Sequence, residues 1–91
     1  MKIVWTDKAL QDVVRLHEFL SPVNPTAAAN VVQNLVATAA RLVRFPRHGE
    51  HLDLYDPREI RRVFAGQYEI RYELAQETIF ILRLWHGREL R

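Results

Sequence analysis

Residues 67–74, QYEIRYEL, constrain this chain more than any other stretch. Tyr68, Ile70, Tyr72 and Leu74 alternate with Glu69, Arg71 and Glu73. A period of two puts four apolar side chains on one face and three charges on the other. That is the pattern of a half-buried antiparallel strand. Just upstream, EIRRVF reads as a second strand, joined through the tight turn AGQ, where Gly66 supplies permissive backbone. Downstream, AQET turns into IFILRLW. That run is so continuously apolar that its strand is expected to be central and covered on both faces. KIVW, near the start, is short and β-branched, a first strand able to add to an edge of the meander.

Two helices are expected between the first strand and the meander. Thr6 is a good N-cap, with Asp7 in the first turn. Leu10, Val13, Val14, His17 and Leu20 then recur at helical spacing, with Asp12, Arg15 and Glu18 on the other side. SPVNPT breaks this helix, and Asn24 followed by Pro25 starts the next. The second helix is expected to reach about Arg44, because Phe45 precedes Pro46. Val31, Leu35, Thr38 and Leu42 share one stripe, with Val32, Val36 and Val43 beside it. Its many alanines allow another helix to approach closely, which predicts an αα-hairpin. Residues 46–57 form the longest irregular stretch and carry His48 and His51. Loops of that length often serve function.

The expected class is α+β, in the order β-α-α-β-β-β, with the helical hairpin packed on a small antiparallel sheet. A chain of 91 residues supports one domain, residues 1–91, with a single core. Hydrophobic residues are 48% and charged residues 26%, enough apolar content for that core and too much for a disordered chain. The absence of cysteine excludes disulfides and thiolate metal sites and points to a reducing cytosol. The N-terminus turns polar at Thr6, and the apolar run 79–82 is far too short for a bilayer. Neither a signal peptide nor a membrane span is therefore expected.

Net charge is only +2, yet ten of the thirteen Lys and Arg lie from Arg41 onward, and all ten are arginine. Arginine forks suit phosphates and carboxylates. Eight acids share that half, so the charges read either as ion pairs or as a surface for an anionic partner. His17 sits on a helical stripe as a boundary residue, and the His48/His51 pair lacks further ligands for zinc. His86 differs, because it follows a core strand among arginines in RLWHGRE. A histidine so placed either bonds to backbone or serves acid–base cleavage of a phosphodiester. No glycine-rich phosphate loop is present, and the single serine, Ser21, lies beside a proline. Tyr68 and Tyr72 read first as core residues, with base stacking as the alternative, and Trp5 and Trp85 read as core residues or interface anchors. A small domain with alanine-lined helices and an exposed sheet edge resembles half of a complex.

The element order, together with IRRVFAGQYEIRYEL and the terminal IFILRLWHGRE, resembles the RelE/ParE family of toxins from bacterial type II toxin–antitoxin modules. The resemblance spans essentially the whole chain; its specific part is residues 58–89, and it is particularly similar to the ParE, or plasmid-stabilisation, branch. Many members of that branch end a strand in a WHGRE-like motif. The resemblance implies a toxin that binds DNA gyrase and blocks replication, causing growth arrest without catalytic residues, cofactor or metal. Arg83, His86, Arg88 and Glu89 would face the target, supported by Arg61 and Arg62. The alternative is a RelE-type, ribosome-dependent mRNA endonuclease. His86 would then be the acid–base, with Arg62 and Arg88 stabilising the pentavalent phosphate. That branch would be expected to carry arginine where this chain has Glu69, whose charge repels phosphate. It would also carry a C-terminal tyrosine, whereas only Leu90 and Arg91 follow Glu89. A third option is a non-toxic relative that only binds antitoxin. In each case the implied partner is a cognate antitoxin. Its C-terminal segment would fold on binding and wrap the helices and sheet. The implied assembly is a cytoplasmic hetero-oligomer, remote from membranes, that reaches operator DNA only through the antitoxin.

Overall fold

A computed structural model describes residues 1–89. The element order is β1 (Lys2–Trp5), α1 (Asp7–Leu20), α2 (Pro25–Arg41), β2 (Glu50–His51), a 3-10 turn (Asp53–Tyr55), β3 (Glu59–Ala65), β4 (Tyr68–Ala75) and β5 (Thr78–His86). All five strands belong to one sheet, ordered β1-β5-β4-β3-β2. From β2 to β5 the pairing is antiparallel, as expected for the meander. The first strand makes the sheet mixed: β1 joins the edge in parallel with β5, Lys2 opposite Thr78 and Trp5 opposite Ile81. The long loop also contributes more than a turn, since β2 pairs Glu50 with Arg62 and His51 with Arg61.

Both helices begin as their caps dictate. The Thr6 hydroxyl accepts from Ala9 N at 3.2 Å, and the Asn24 side chain accepts from Ala27 N at 3.0 Å. Thr6 also donates its hydroxyl proton to Ile81 O at 2.8 Å, which fixes the start of α1 against β5. This anchor turns the helix relative to the sequence-based stripe. Ala9, Asp12 and Leu16 face inward and are buried, whereas Leu10 and Val14 are about half exposed, at 50% and 53%. α2 buries Ala28, Leu35, Thr38 and Ala39, and ends at Arg41 rather than near Arg44. Beyond it Leu42, Val43 and Arg44 bond to carbonyls three residues back, a tightening that precedes Pro46.

The core joins Leu16, Leu35, Ala39 and Leu42 of the helical layer to Ile70, Tyr72, Leu74, Ile79, Ile81 and Leu84 of the sheet. A bulge sets the register of β5. Tyr72 opposes Ile81 but Arg71 opposes Arg83, so Leu82 is an extra residue. One inserted residue reverses the alternation. Ile79 and Ile81 before the bulge therefore share the helix-side face with Leu84 and His86 after it. Arg83 and Trp85 fall on the opposite face.

Candidate functional site

β1 pairs with β5 only as far as Ile81. Beyond that point the outer edge of β5 is completed by side chains of α1. Asp12 Oδ2 accepts from Leu84 N at 2.9 Å, and Arg15 Nη2 donates to Leu84 O at 3.0 Å. Asp12 also accepts from Arg83 Nε at 2.8 Å and from Arg15 Nη2 at 3.0 Å. Burial disfavours its charge, but the bonds from Arg83, the Leu84 amide and Arg15 outweigh burial. They hold the carboxyl below the usual aspartate range. The same pairing raises Arg83 above the ordinary arginine value.

The turn after β5 is fastened at three points. Gly87 N donates to Gln67 O at 2.7 Å, joining it to the β3–β4 turn. Glu89 pairs with Arg15 through Nη1, and its other oxygen accepts from His86 N at 2.6 Å. His86 Nδ1 accepts from Arg88 N at 3.1 Å. The neutral ring therefore carries its proton on Nε2. The ring meets Tyr68 edge-on, centroids 5.0 Å apart. Between this turn and α1 lies a groove of about 610 Å3, lined by Arg15, Leu16, Phe19, Tyr68, His86 and Arg88. Phe19 stands 85% exposed at its rim. Among the described residues Arg88 has no ion-pair partner, while Glu89 is committed to the clasp.

The opposite face is built from arginines. Arg62, Arg71 and Arg83 are register partners on β3, β4 and β5. Arg62 pairs with Glu50 at 2.8 Å, Arg71 with Glu69 at 2.6 Å, and Arg83 with Asp12. The guanidinium carbons of Arg71 and Arg83 lie 4.8 and 5.1 Å from the Trp85 ring centroid. Arg71 also donates to Tyr55 Oη at 3.2 Å. Glu69 is fully buried and ion-paired with Arg71, so its charge is neutralised within this face and does not confront solvent phosphate.

Arg61 points the other way from Arg62 and is occupied structurally. It donates to Gly49 O at 2.8 Å and to Glu59 at 3.0 Å. Beside it the buried Tyr72 hydroxyl donates to Pro46 O at 2.8 Å and accepts from Gly49 N at 3.0 Å. Burial pushes that phenol up from its ordinary value, against the bond from Gly49. The loop fits so closely that a Cβ on Gly49 would lie 2.6 Å from the Tyr72 oxygen.

The six sequence-derived residues thus divide three ways. His86, Arg88 and Glu89 border the groove, Arg62 and Arg83 belong to the helix-free face, and Arg61 secures the 46–49 loop. Asp12 and Arg71 were missed as parts of these surfaces. Asp12 looked like a solvent-facing helix position, and Arg71 like an ordinary polar alternate. His51 bonds Asp56 at 2.8 Å, apart from the other histidines. Among the described residues no group of three metal-ligating side chains comes together. No described helix is long and apolar enough to cross a membrane.

The family model described as the ParE toxin of the type II toxin–antitoxin system parDE matches residues 3–91. This chain belongs to the RelE/ParE family of toxins. Among members of that family it is similar to Toxin RelE2 of Caulobacter vibrioides, 30% identical over 89 residues, 98% of each chain. Toxin RelE1 of the same organism is 34% identical over 85 residues, covering 92% of this chain and 90% of the relative. The ParE/RelE fold is shared with a solved structure titled as a chromosomal ParDE system from P. aeruginosa. That match has a TM-score of 0.74 at 21% identity, over 92% of each chain. The chain is therefore a ParE/RelE-family toxin of a type II toxin–antitoxin system.

Proposed function

We propose that this toxin acts by binding DNA gyrase in the cytoplasm and so halts replication, and that it is held inactive by a cognate antitoxin. The observation that carries this reading is the separation of the ribonuclease candidates. Arg62 lies on the helix-free face, paired with Glu50, whereas His86 and Arg88 border the groove on the other side of the sheet. Phosphodiester cleavage needs its acid–base and its phosphate-stabilising cations around one phosphorus atom. These three residues do not converge on one. The antitoxin is assigned to the helical side, where Leu10, Val14, Phe19 and Val36 are exposed.

One observation favours the ribonuclease alternative. The Nε2 proton of His86 is available beside Arg88 in a groove large enough for a nucleotide base. The test is a supercoiling assay with the purified toxin at micromolar concentration, run beside the His86→Ala variant. Gyrase inhibition by the unaltered toxin, with no ribosome-dependent mRNA cleavage by either protein, is the expected result. Supercoiling left untouched by the unaltered toxin sinks the gyrase reading. Ribosome-dependent mRNA cleavage that disappears in His86→Ala would put the alternative in its place.

A further inference from the structure

Like charges placed directly opposite on neighbouring strands are destabilising. The row Arg62–Arg71–Arg83 persists because each member has its own carboxylate, and Arg58 beside it is held by Glu73 at 2.7 Å. These pairs are not equivalent. Glu69 and Asp12 are buried, so Arg71 and Arg83 are fixed over Trp85 as a rigid floor. Glu50 is different, with its side chain 60% exposed. Arg62, its partner, lies 5.7 Å from the centroid of Phe64, itself 52% exposed. An exposed ion pair contributes only about 0–1 kcal/mol, so a competing carboxylate can displace Glu50.

We propose that this face docks a protein surface that offers one carboxylate to Arg62 and an apolar side chain to Phe64, with both as contact residues on the Arg71–Trp85–Arg83 floor. The proposal rests on the reading of the toxin as one that acts by binding, and adds the chemistry of the contact. Pairing of each arginine with a carboxylate decides between protein and nucleic acid. Polyphosphate binding is driven by uncompensated positive charge and counterion release, which this neutralised face does not supply. A partner carboxylate can instead replace Glu50 on the guanidinium while an apolar neighbour covers Phe64. Arginine and aromatic anchors over a rigid floor are what protein interfaces concentrate.

The test uses the full chain and reads growth arrest in cells lacking antitoxin, with co-purification of antitoxin as the control for folding. Arg62→Ala and Phe64→Ser are each expected to weaken toxicity by about tenfold or more, the size expected of an interface contact residue. Glu50→Gln removes the competing acid and is expected to retain or increase toxicity. A structural ion pair behaves otherwise, since removing either partner would weaken it equally. Equal losses in Arg62→Ala and Glu50→Gln therefore overturn the proposal, as does full toxicity in both Arg62→Ala and Phe64→Ser. Salt-steep binding of a short single-stranded RNA that vanishes in Arg62→Ala overturns the protein partner in favour of nucleic acid. Growth arrest is read whichever machine is the target, so failure of the gyrase reading and failure of this surface are separate results.

Discussion

Asp12 accepts from Arg15, Arg83 and the Leu84 amide, and it replaces a missing strand at the edge of β5. Its carboxyl is held below the usual range against the effect of burial. A depressed folded pKa means that the native state favours the ionised form. The resulting stability is present above the unfolded aspartate pKa of about 3.9 and is lost as pH falls through the lower folded value. Asp12→Asn leaves Arg83 without its charge partner and, because Arg83 and Arg15 are both partly solvated, is expected to cost about 1–2 kcal/mol near neutral pH. Urea denaturation of both proteins at neutral and acid pH checks this. The gap is expected to narrow at acid pH, where the unaltered Asp12 also becomes neutral. A gap of constant size would show that Asp12 contributes by shape rather than charge.

At the scale of elements, the β4–β5 turn carries the clearest local conflict. Gln76 and Glu77 occupy both central positions with φ of 54° and 57°. A two-residue hairpin turn of this kind favours Asn-Gly, because the left-handed region costs a side-chain-bearing residue about 1–2 kcal/mol. Glu77→Gly is expected to stabilise the toxin by about 0.5–1 kcal/mol, relief of strain outweighing the added freedom of the unfolded chain. Thermal melts of the two proteins check it, and a lower midpoint in the variant would contradict it.

The same elements show what could be read without coordinates. Tyr68, Ile70, Tyr72 and Leu74 placed β4 correctly because their alternation is local, and Thr6 and Asn24 placed the helix starts for the same reason. The bulge at Leu82 was not legible, since IFILRLWH carries no mark of an inserted residue. Without that bulge, His86 would share a face with Phe80 and Leu82 rather than with Ile79 and Ile81. Likewise the inward turn of Asp12 follows from the tie between Thr6 and Ile81, residues far apart in sequence. Arg61 and Arg62, adjacent in sequence, looked like one basic pair, but strand geometry sends them to opposite faces.

Across the whole molecule, the sheet separates two surfaces of different chemistry. The helical side exposes apolar residues beside a groove bordered by the Arg15–Glu89 clasp, and the helix-free side presents paired arginines over Trp85. That division allows one toxin to be held by an antitoxin on one side and to meet its target on the other. The proposed mode of action is binding to the replication machinery and not cleavage of mRNA. Pulse labelling after induction in cells without antitoxin tests it most directly, by comparing thymidine with methionine incorporation over the first minutes. A gyrase-binding toxin makes thymidine incorporation fall first while methionine incorporation continues; an earlier fall in methionine incorporation would contradict that mode and make His86 and Arg88 the residues to dissect.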